Sequence, residues 1–110
     1  MEVFAPLTGF FNAIADDTRI SATHISLYVS LLNDWNIKGG LNPFAIERDI
    51  IMKTAKISAR RTYHRCMNNL QDYGYINYLP ASNSFTQSMV YLKKVEAIFR
   101  TMAQYGDNYS

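Results

Sequence analysis

The stretch ISARRTYHRCMNNLQDY, residues 57–73, decides the fold predicted for this chain. Its apolar side chains recur every three or four residues, the spacing of one buried helix face; they are Tyr63, Cys66, Met67, Leu70 and Tyr73. Ser58 is the expected N-cap, because its hydroxyl can accept a hydrogen bond from a first-turn amide. Gly74 is expected to end the helix, since glycine adopts a left-handed turn at little cost. The pattern predicts a helix over about 58–73 with one buried side.

The other side of this predicted helix is polar and basic. At 100° per residue, six side chains project away from the buried side or flank it: Arg61, Arg65 and Asn68 opposite, with Arg60, His64 and Thr62 on the flanks. Residues 50–71 contain five of the chain's 11 basic residues and none of its 9 acidic ones, although the whole chain has a net charge of only +2. Positive charge collected in one segment is typical of a surface that contacts phosphates.

Length and composition predict one folded domain spanning residues 1–110. A chain of 110 residues is long enough for one core, and its 48% hydrophobic and 14% aromatic content is that of a folded protein. The single cysteine forms no internal disulfide, and no Cys/His spacing suits a metal. A basic signal-peptide start and an apolar run of about 18 residues are both missing. We therefore expect a cytoplasmic protein that needs no cofactor.

Two helices are predicted before residue 37. The first has Pro6 at its first helical position and an apolar stripe formed by Leu7, Phe10, Phe11 and Ile14. The second, capped by Ser21 or Thr23 and running to about Asn36, is apolar on most of its circumference, so we expect it to be the central scaffold. His24 in its first turn is interpreted as a capped or exposed residue rather than a metal ligand.

A turn at Gly39-Gly40 leads to a short strand at 44–46 and then to a helix over about 48–55. In that helix Ile50, Ile51 and Met52 are expected to face inward and Lys53 outward. Residues 55–57 form a tight turn into the 58–73 helix. A helix, a three-residue turn and a second, basic helix make up a helix-turn-helix.

After Gly74 the apolar period changes from 3.6 to 2, which indicates strands at 75–79 and 88–92 joined by a polar loop. Such a hairpin, placed directly after a helix-turn-helix, is a wing. The last predicted element, residues 93–105, is an amphipathic helix that either packs against its own domain or forms a homodimer interface; its apolar stripe is Val95, Ile98, Phe99, Met102 and Tyr105. The predicted fold class is mainly α with a small β-hairpin.

The run ERDIIMKTAKISARRTYHRCMNNLQDYGYINYLPASNSFTQSMVYL, residues 47–92, together with THISLYVSLLNDWN, residues 23–36, resembles the winged helix-turn-helix domain of small bacterial transcriptional regulators. It looks most like the short regulators of Bacteroides-type genomes and their mobile elements. The KIS turn, the TYH triplet and the GYI exit into the wing carry the likeness, which covers about residues 20–92. The resemblance implies DNA binding, with residues 58–65 in the major groove. The chain departs from that family in one respect. Wings of this kind often carry a Lys or Arg for the minor groove, and residues 75–92 contain neither.

In a DNA complex, each candidate residue has a physical role. Arg61 and Arg65 suit bidentate contacts to guanine, with Asn68 or His64 near neighbouring base edges or phosphates. The expected phosphate contacts come from the remaining cations, the helix start and the wing, namely Lys53, Lys56, Ser58, Arg60, Thr62, Asn83, Ser84, Thr86 and Gln87. The alternative for these basic side chains is a solvated helix surface without a ligand.

A protein–protein module in a replication or mobile-element assembly is the competing function. A basic helix could bind an acidic partner, and exposed tyrosines suit an interface; those expected here are Tyr73, Tyr75, Tyr78 and Tyr91. An enzyme is not expected, because no activated nucleophile, carboxylate pair with complementary roles or metal cluster can be named. Cys66 lies on the buried stripe and is interpreted as a core residue.

Overall fold

The computed structural model describes residues 4–83 and 86–93, in which two helices, a strand, two further helices and two strands follow one another. Within these residues the protein is a compact mixed α/β fold with four helices and one three-stranded antiparallel sheet. The elements are α1 Phe4–Ile14, α2 Ala22–Ile37, β1 Phe44–Ile46, α3 Arg48–Ala55, α4 Arg60–Asp72, β2 Ile76–Leu79 and β3 Ser88–Leu92. No helix in this part of the chain is both long and apolar enough to cross a membrane.

The central element is α2, as its apolar circumference predicted. It packs against both α3 and α4, and its large side chains fill the core: Leu27, Tyr28, Leu31, Leu32 and Trp35. Its first turn carries a capping box, in which Ser21 Oγ accepts from the backbone amide of His24 and the Ser21 amide donates to His24 Nδ1 at 2.9 Å. The box pairs two amides that a helix start would otherwise leave unpaired.

Two hydroxyls on α2 fix the position of α3. Ser30 Oγ donates to the carbonyl of Ile51 at 3.4 Å, and Ser26 Oγ donates to the carbonyl of Ala55. The Ala55 carbonyl lies in the last turn of α3, where no intrahelical donor is left for it. The two serines are four residues apart, and so are their two acceptors. The two hydrogen bonds therefore fix the axial offset of α3 relative to α2.

The sheet has the strand order β1-β3-β2, so the short strand at 44–46 completes the hairpin instead of standing alone. Phe44 lies opposite Val90 in β3, and Val90 in turn lies opposite Tyr78 in β2. The side chain of Asn42 extends the β1–β3 ladder, since Nδ2 donates to the Leu92 carbonyl at 3.2 Å and Oδ1 accepts from the Leu92 amide at 3.1 Å.

A polar cluster joins the α1–α2 loop to the end of α4. Arg19 donates to both carboxylate oxygens of Asp17 at 2.8 and 2.9 Å, and its guanidinium lies 4.1 Å from the centre of the Tyr73 ring. Tyr75 Oη donates to Asp17 at 2.8 Å. The hydrogen bonds from Arg19 and Tyr75 hold the pKa of Asp17 well below its usual range. The Tyr75 ring also lies edge-on to Phe10 at 5.6 Å, which attaches α1 to this cluster.

Several local predictions were wrong. Ser58 is not the N-cap of α4, because the backbone stays extended through Ala59, which occupies the cap position without a side-chain bond. The helix α1 begins at Phe4, before Pro6. Ile50 and Phe11 are 53% and 45% exposed, since the neighbouring Ile51 and Phe10 take the inward positions. Tyr75 was expected to be exposed but is only 3% exposed, because its hydroxyl reaches Asp17 inside the cluster.

The predicted helix at 93–105, with Val95, Ile98, Phe99, Met102 and Tyr105, lies outside the described residues apart from Lys93. Ser84 lies outside them as well. The homodimer interface expected at that helix therefore stays a prediction.

Removing one tyrosine hydroxyl is expected to have opposite effects at two buried positions. Tyr28 Oη is buried and has no hydrogen-bond partner among the described residues, and an unpaired buried hydroxyl is destabilising. Tyr28→Phe keeps the ring stacked 3.8 Å from Phe10 and should raise the free energy of unfolding by up to about 1 kcal/mol. Tyr75→Phe makes the same chemical change but loses the hydrogen bond to Asp17. This second variant should therefore have a lower free energy of unfolding than the unchanged protein. Urea unfolding of both variants measures whether each change raises or lowers the free energy of unfolding. A loss of stability in Tyr28→Phe would contradict the conclusion that the Tyr28 hydroxyl is buried without a partner.

The free energy of unfolding should decrease as the pH is lowered below about 6.5, because of His24. Burial, and then the nearby Arg65 guanidinium, hold the pKa of His24 below its ordinary value of 6.5. The unfolded chain therefore binds a proton at a higher pH than the folded protein does. The stabilisation is complete above pH 6.5 and is lost as the pH falls through the folded pKa. His24→Gln keeps a capping-box residue without a titrating ring, so its urea midpoint should change less between pH 7 and pH 5. Equal changes in both proteins would contradict this assignment.

Candidate nucleic-acid interface

The helix α4 buries one side and exposes the other, as its sequence predicted. Tyr63, Cys66, Met67 and Leu70 are almost completely buried against the rest of the fold. On the outer side Arg60, Arg61, His64, Arg65 and Asn68 are exposed, and Thr62 is half-buried. Arg61 and Arg65 are four residues apart, so they project from the same side of the helix at adjacent turns. The two arginines that were predicted to read bases therefore lie together on an open surface.

The turn before α4 brings further cations to this surface. Lys56 adopts the left-handed conformation, with φ 62° and ψ 39°. The amide of Ile57 then donates to the Met52 carbonyl at 2.9 Å and the amide of Lys56 to the Lys53 carbonyl at 3.3 Å, the arrangement of a Schellman motif. Ile57 is buried as a result, and the exposed Lys53 and Lys56 flank the start of α4.

The start of α4 is open to an anion. Ala59 caps the helix without a side-chain hydrogen bond, so the first-turn amides receive no side-chain acceptor from this position. The turn also borders two shallow concavities: one of about 180 Å³ includes Thr23, Ser58 and Thr62, and one of about 380 Å³ includes Lys53 and Lys56. Amides, hydroxyls and ammonium groups are the donors that proteins use to hold phosphate oxygens.

Thr23 was missed as a candidate. It belongs to the first turn of α2, more than thirty positions before Ser58 along the chain, and only the packing of α2 against the helix pair places it beside Ser58 and Ala59. Its local sequence gives no signal of this, since a threonine near a helix start is ordinary.

The cations of this surface have no acidic partner among the described residues. The three ion pairs found in that part of the chain join Arg19 to Asp17, Lys38 to Asp34 and Arg48 to Asp49. None of them includes the five cations of residues 50–71, which are Lys53, Lys56, Arg60, Arg61 and Arg65. Like charges gathered without counter-charges repel one another, so an external polyanion would be favoured at this surface. We call these five residues, with the exposed polar side chains of α4, the basic face.

Hydrogen bonds to α2 and to β2, together with a turn at its C-terminal end, hold α4 in place. The Asn69 side-chain amide lies 3.0 Å from His24 Nε2 on α2, and Gln71 Oε1 accepts from the backbone amide of Tyr78 in β2 at 2.8 Å. Gly74, with φ 88°, lets the chain reverse so that the Tyr75 amide donates to the Leu70 carbonyl at 2.9 Å. The basic face is therefore carried by a helix tied to both the central scaffold and the sheet.

The candidate wing residues belong to a separate element. Asn83 and Thr86 are exposed in the loop between β2 and β3, and Thr86 Oγ1 donates to the Asn83 carbonyl at 3.4 Å. The strand β2 is four residues long, about 13 Å at 3.3 Å per residue, and this loop follows its last residue. The structure thus groups the candidates on α3 and α4, while the loop candidates lie on the projecting hairpin.

Another concavity, of about 460 Å³, lies along the α1–α2 loop. The carboxylate of Asp17 that lines it is already paired with Arg19 and Tyr75. In the described residues, no group of three or more His, Cys, Asp or Glu is placed to hold a metal ion.

Comparisons of the chain with protein-family models, with curated protein sequences and with solved structures find no match. The functional conclusion therefore rests on the residues and the geometry described above.

Proposed function

We propose that this chain is a winged helix-turn-helix protein that binds double-stranded DNA sequence-specifically and regulates transcription. In this proposal α3 and α4 are the helix-turn-helix, and α4 enters the major groove. The hairpin β2–β3 is the wing, and it lies on the DNA backbone. The observation that carries the proposal is the basic face, five cations with no acidic partner among the described residues, around the exposed side of one well-anchored helix.

The order of the elements supports the proposal. From α2 onward the chain runs helix, strand, helix, helix and then two strands, the order expected from the resemblance. The hairpin β2–β3 follows α4 directly along the chain, and Gln71 in the last turn of α4 accepts a hydrogen bond from the Tyr78 amide in β2. In a helix pair followed by a hairpin, the second helix can enter the major groove of DNA, and the hairpin loop can contact the neighbouring DNA backbone.

The chemistry of the basic face favours DNA over an unoccupied surface. Arg61 and Arg65 present planar forks that match guanine O6 and N7, and Asn68 one turn later can pair with adenine. Lys53, Lys56 and the uncapped start of α4 surround them with phosphate donors. In this proposal, Thr23 adds a hydroxyl to the same phosphate-binding rim.

Binding to duplex DNA is expected to depend steeply on salt. If the basic face neutralises about four to six phosphates, log K should fall against log salt concentration with a slope of about −4 to −6. Fluorescence anisotropy with a labelled duplex of random sequence, between about 50 and 200 mM salt, measures this slope. No binding at the lower salt concentration, or a flat salt response, would contradict DNA binding. Binding to an acidic protein in its place would favour the alternative of a protein–protein module.

The arginines of α4 and the lysine of the turn should differ in what they contribute. Arg61→Ala and Arg65→Ala should each reduce the preference for a selected duplex over random DNA by about 1–3 kcal/mol. Lys56→Asn removes a charge while keeping a residue that tolerates the left-handed conformation. It should weaken all duplexes alike and make the salt slope about one unit shallower. Competition anisotropy with duplexes enriched from a random library gives both quantities.

Lys38→Gln is the matched control for these charge changes. Lys38 follows the end of α2, roughly 22 Å along the helix axis from Thr23 at 1.5 Å per residue, and it pairs with Asp34. Its loss should leave both the salt slope and the sequence preference unchanged. If the arginine variants lose affinity equally for selected and random DNA, the base-reading roles are wrong even though DNA binding stands.

A further inference from the structure

The side chain of His24 joins the start of α2 to α4. It is only 6% exposed. On one side the Ser21 amide donates to Nδ1 at 2.9 Å, and on the other the Asn69 side-chain amide lies 3.0 Å from Nε2. Asn69 lies one turn after Arg65 on α4, so the contact at Nε2 holds the turn next to one of the proposed base-reading arginines.

The capping box of α2 fixes which ring nitrogen of His24 carries the proton. A backbone amide can only donate, so Nδ1 must offer a lone pair to Ser21. The neutral ring then carries its proton on Nε2, where the side-chain oxygen of Asn69 is the group that can accept it. The two contacts are therefore satisfied together by one form of the ring, the neutral one with its proton on Nε2.

A second proton on this ring must enter at Nδ1, directly against the Ser21 amide. Ser21 Oγ, 2.8 Å from Nδ1, can turn to accept the new proton, but the amide loses its acceptor and faces another N–H group. Because the imidazole is rigid, a ring that moves away from this amide also carries Nε2 away from Asn69. Protonation therefore loosens both ends of the bridge.

The charged groups around the ring oppose the imidazolium. Arg65 faces it from α4, and the guanidinium of Arg19 lies 4.1 Å from the centre of the Tyr73 ring, which is itself 6.1 Å from the imidazole. The acid that acts on the ring, Asp17, is already paired with Arg19. Burial and the Arg65 charge hold the pKa of His24 below its ordinary value. The bridge therefore stays intact until the medium becomes acidic.

We propose that His24 is a positioning residue that makes the reading of DNA sequence by α4 depend on pH. The neutral ring holds the turn of α4 that carries Arg65, whereas the imidazolium releases Asn69 and lets that turn shift. Base edges must be met at fixed positions, while phosphate contacts tolerate a shift. The proposal rests on the proposed function, and in it acid lowers the sequence preference more than the overall affinity for DNA.

Competition anisotropy between about pH 7.5 and pH 5 tests this. The chain has one other histidine, His64, on the exposed side of α4, so all measurements use a His64→Gln background and a duplex enriched with that variant. Towards acid, the preference for this duplex over random DNA should fall about fivefold, the effect of one lost hydrogen bond. Adding His24→Gln should make the preference nearly independent of pH, because no imidazole remains.

NMR of the unchanged protein tests the bridge without DNA. Long-range ¹⁵N–¹H spectra should place the proton of the neutral His24 ring on Nε2. On acidification the side-chain amide signals of Asn69 should shift with the same midpoint as the His24 ring. Asn33 is the matched control, because it is exposed on α2 nine residues after His24, and its side-chain signals should not follow that midpoint.

Four results would overturn the proposal while leaving DNA binding in place. They are a His24 ring that stays neutral to the lowest pH, Asn69 signals that do not follow the ring, a sequence preference that is constant while the ring titrates, and an equal pH dependence after His24→Gln. A protein that binds no duplex even at the highest pH and low salt would instead contradict the proposed function, and this inference would fail with it.

Discussion

The packing of the apolar side of α4 against α2 is the interaction on which the rest of the structure depends. A 13-residue helix rich in Arg, His and Asn has little apolar surface, so it must bury all of that surface on one side. Tyr63, Cys66, Met67 and Leu70 fulfil this requirement. Once they are buried, helical geometry alone turns Arg61 and Arg65 outward. The exposure of the cations and the stability of the domain therefore have the same origin.

Side chains that complete backbone hydrogen bonding fix the remaining geometry. Ser26 and Ser30 accommodate carbonyls of α3, Asn42 continues the β1–β3 ladder, and Gln71 pairs with an outward amide of β2. Buried or edge backbone groups without partners are unfavourable, so each contact selects one relative placement of two elements. Of these contacts the Gln71 bond ties α4 to the sheet. A surface that reads DNA bases would require such a fixed placement, because its side chains must meet base edges at fixed positions.

The sequence predicted the elements better than the contacts between them. The bounds of α3, the strand at 88–92 and the buried stripe of α4 followed from periodicity and from glycine positions, which are local properties. The burial of Tyr75 did not, because it depends on Asp17, which is 58 positions away along the chain. The pairing of β1 with β3 and the place of Thr23 beside Ser58 were missed for the same reason. Ser58 failed as a cap for a different reason, since the turn extends one residue further than its composition indicates.

The distribution of charge links stability to the proposed function. Each of the three ion pairs found in the described residues joins positions no more than four apart in the sequence, so these pairs neutralise charge locally and none of them joins an acidic residue to the basic face. Five neighbouring cations without counter-charges cost the isolated fold some stability through mutual repulsion. A fold that only had to be stable would gain from an acidic residue among them. A bound polyanion would offset this repulsion, and in the proposed function the phosphates of duplex DNA are that polyanion.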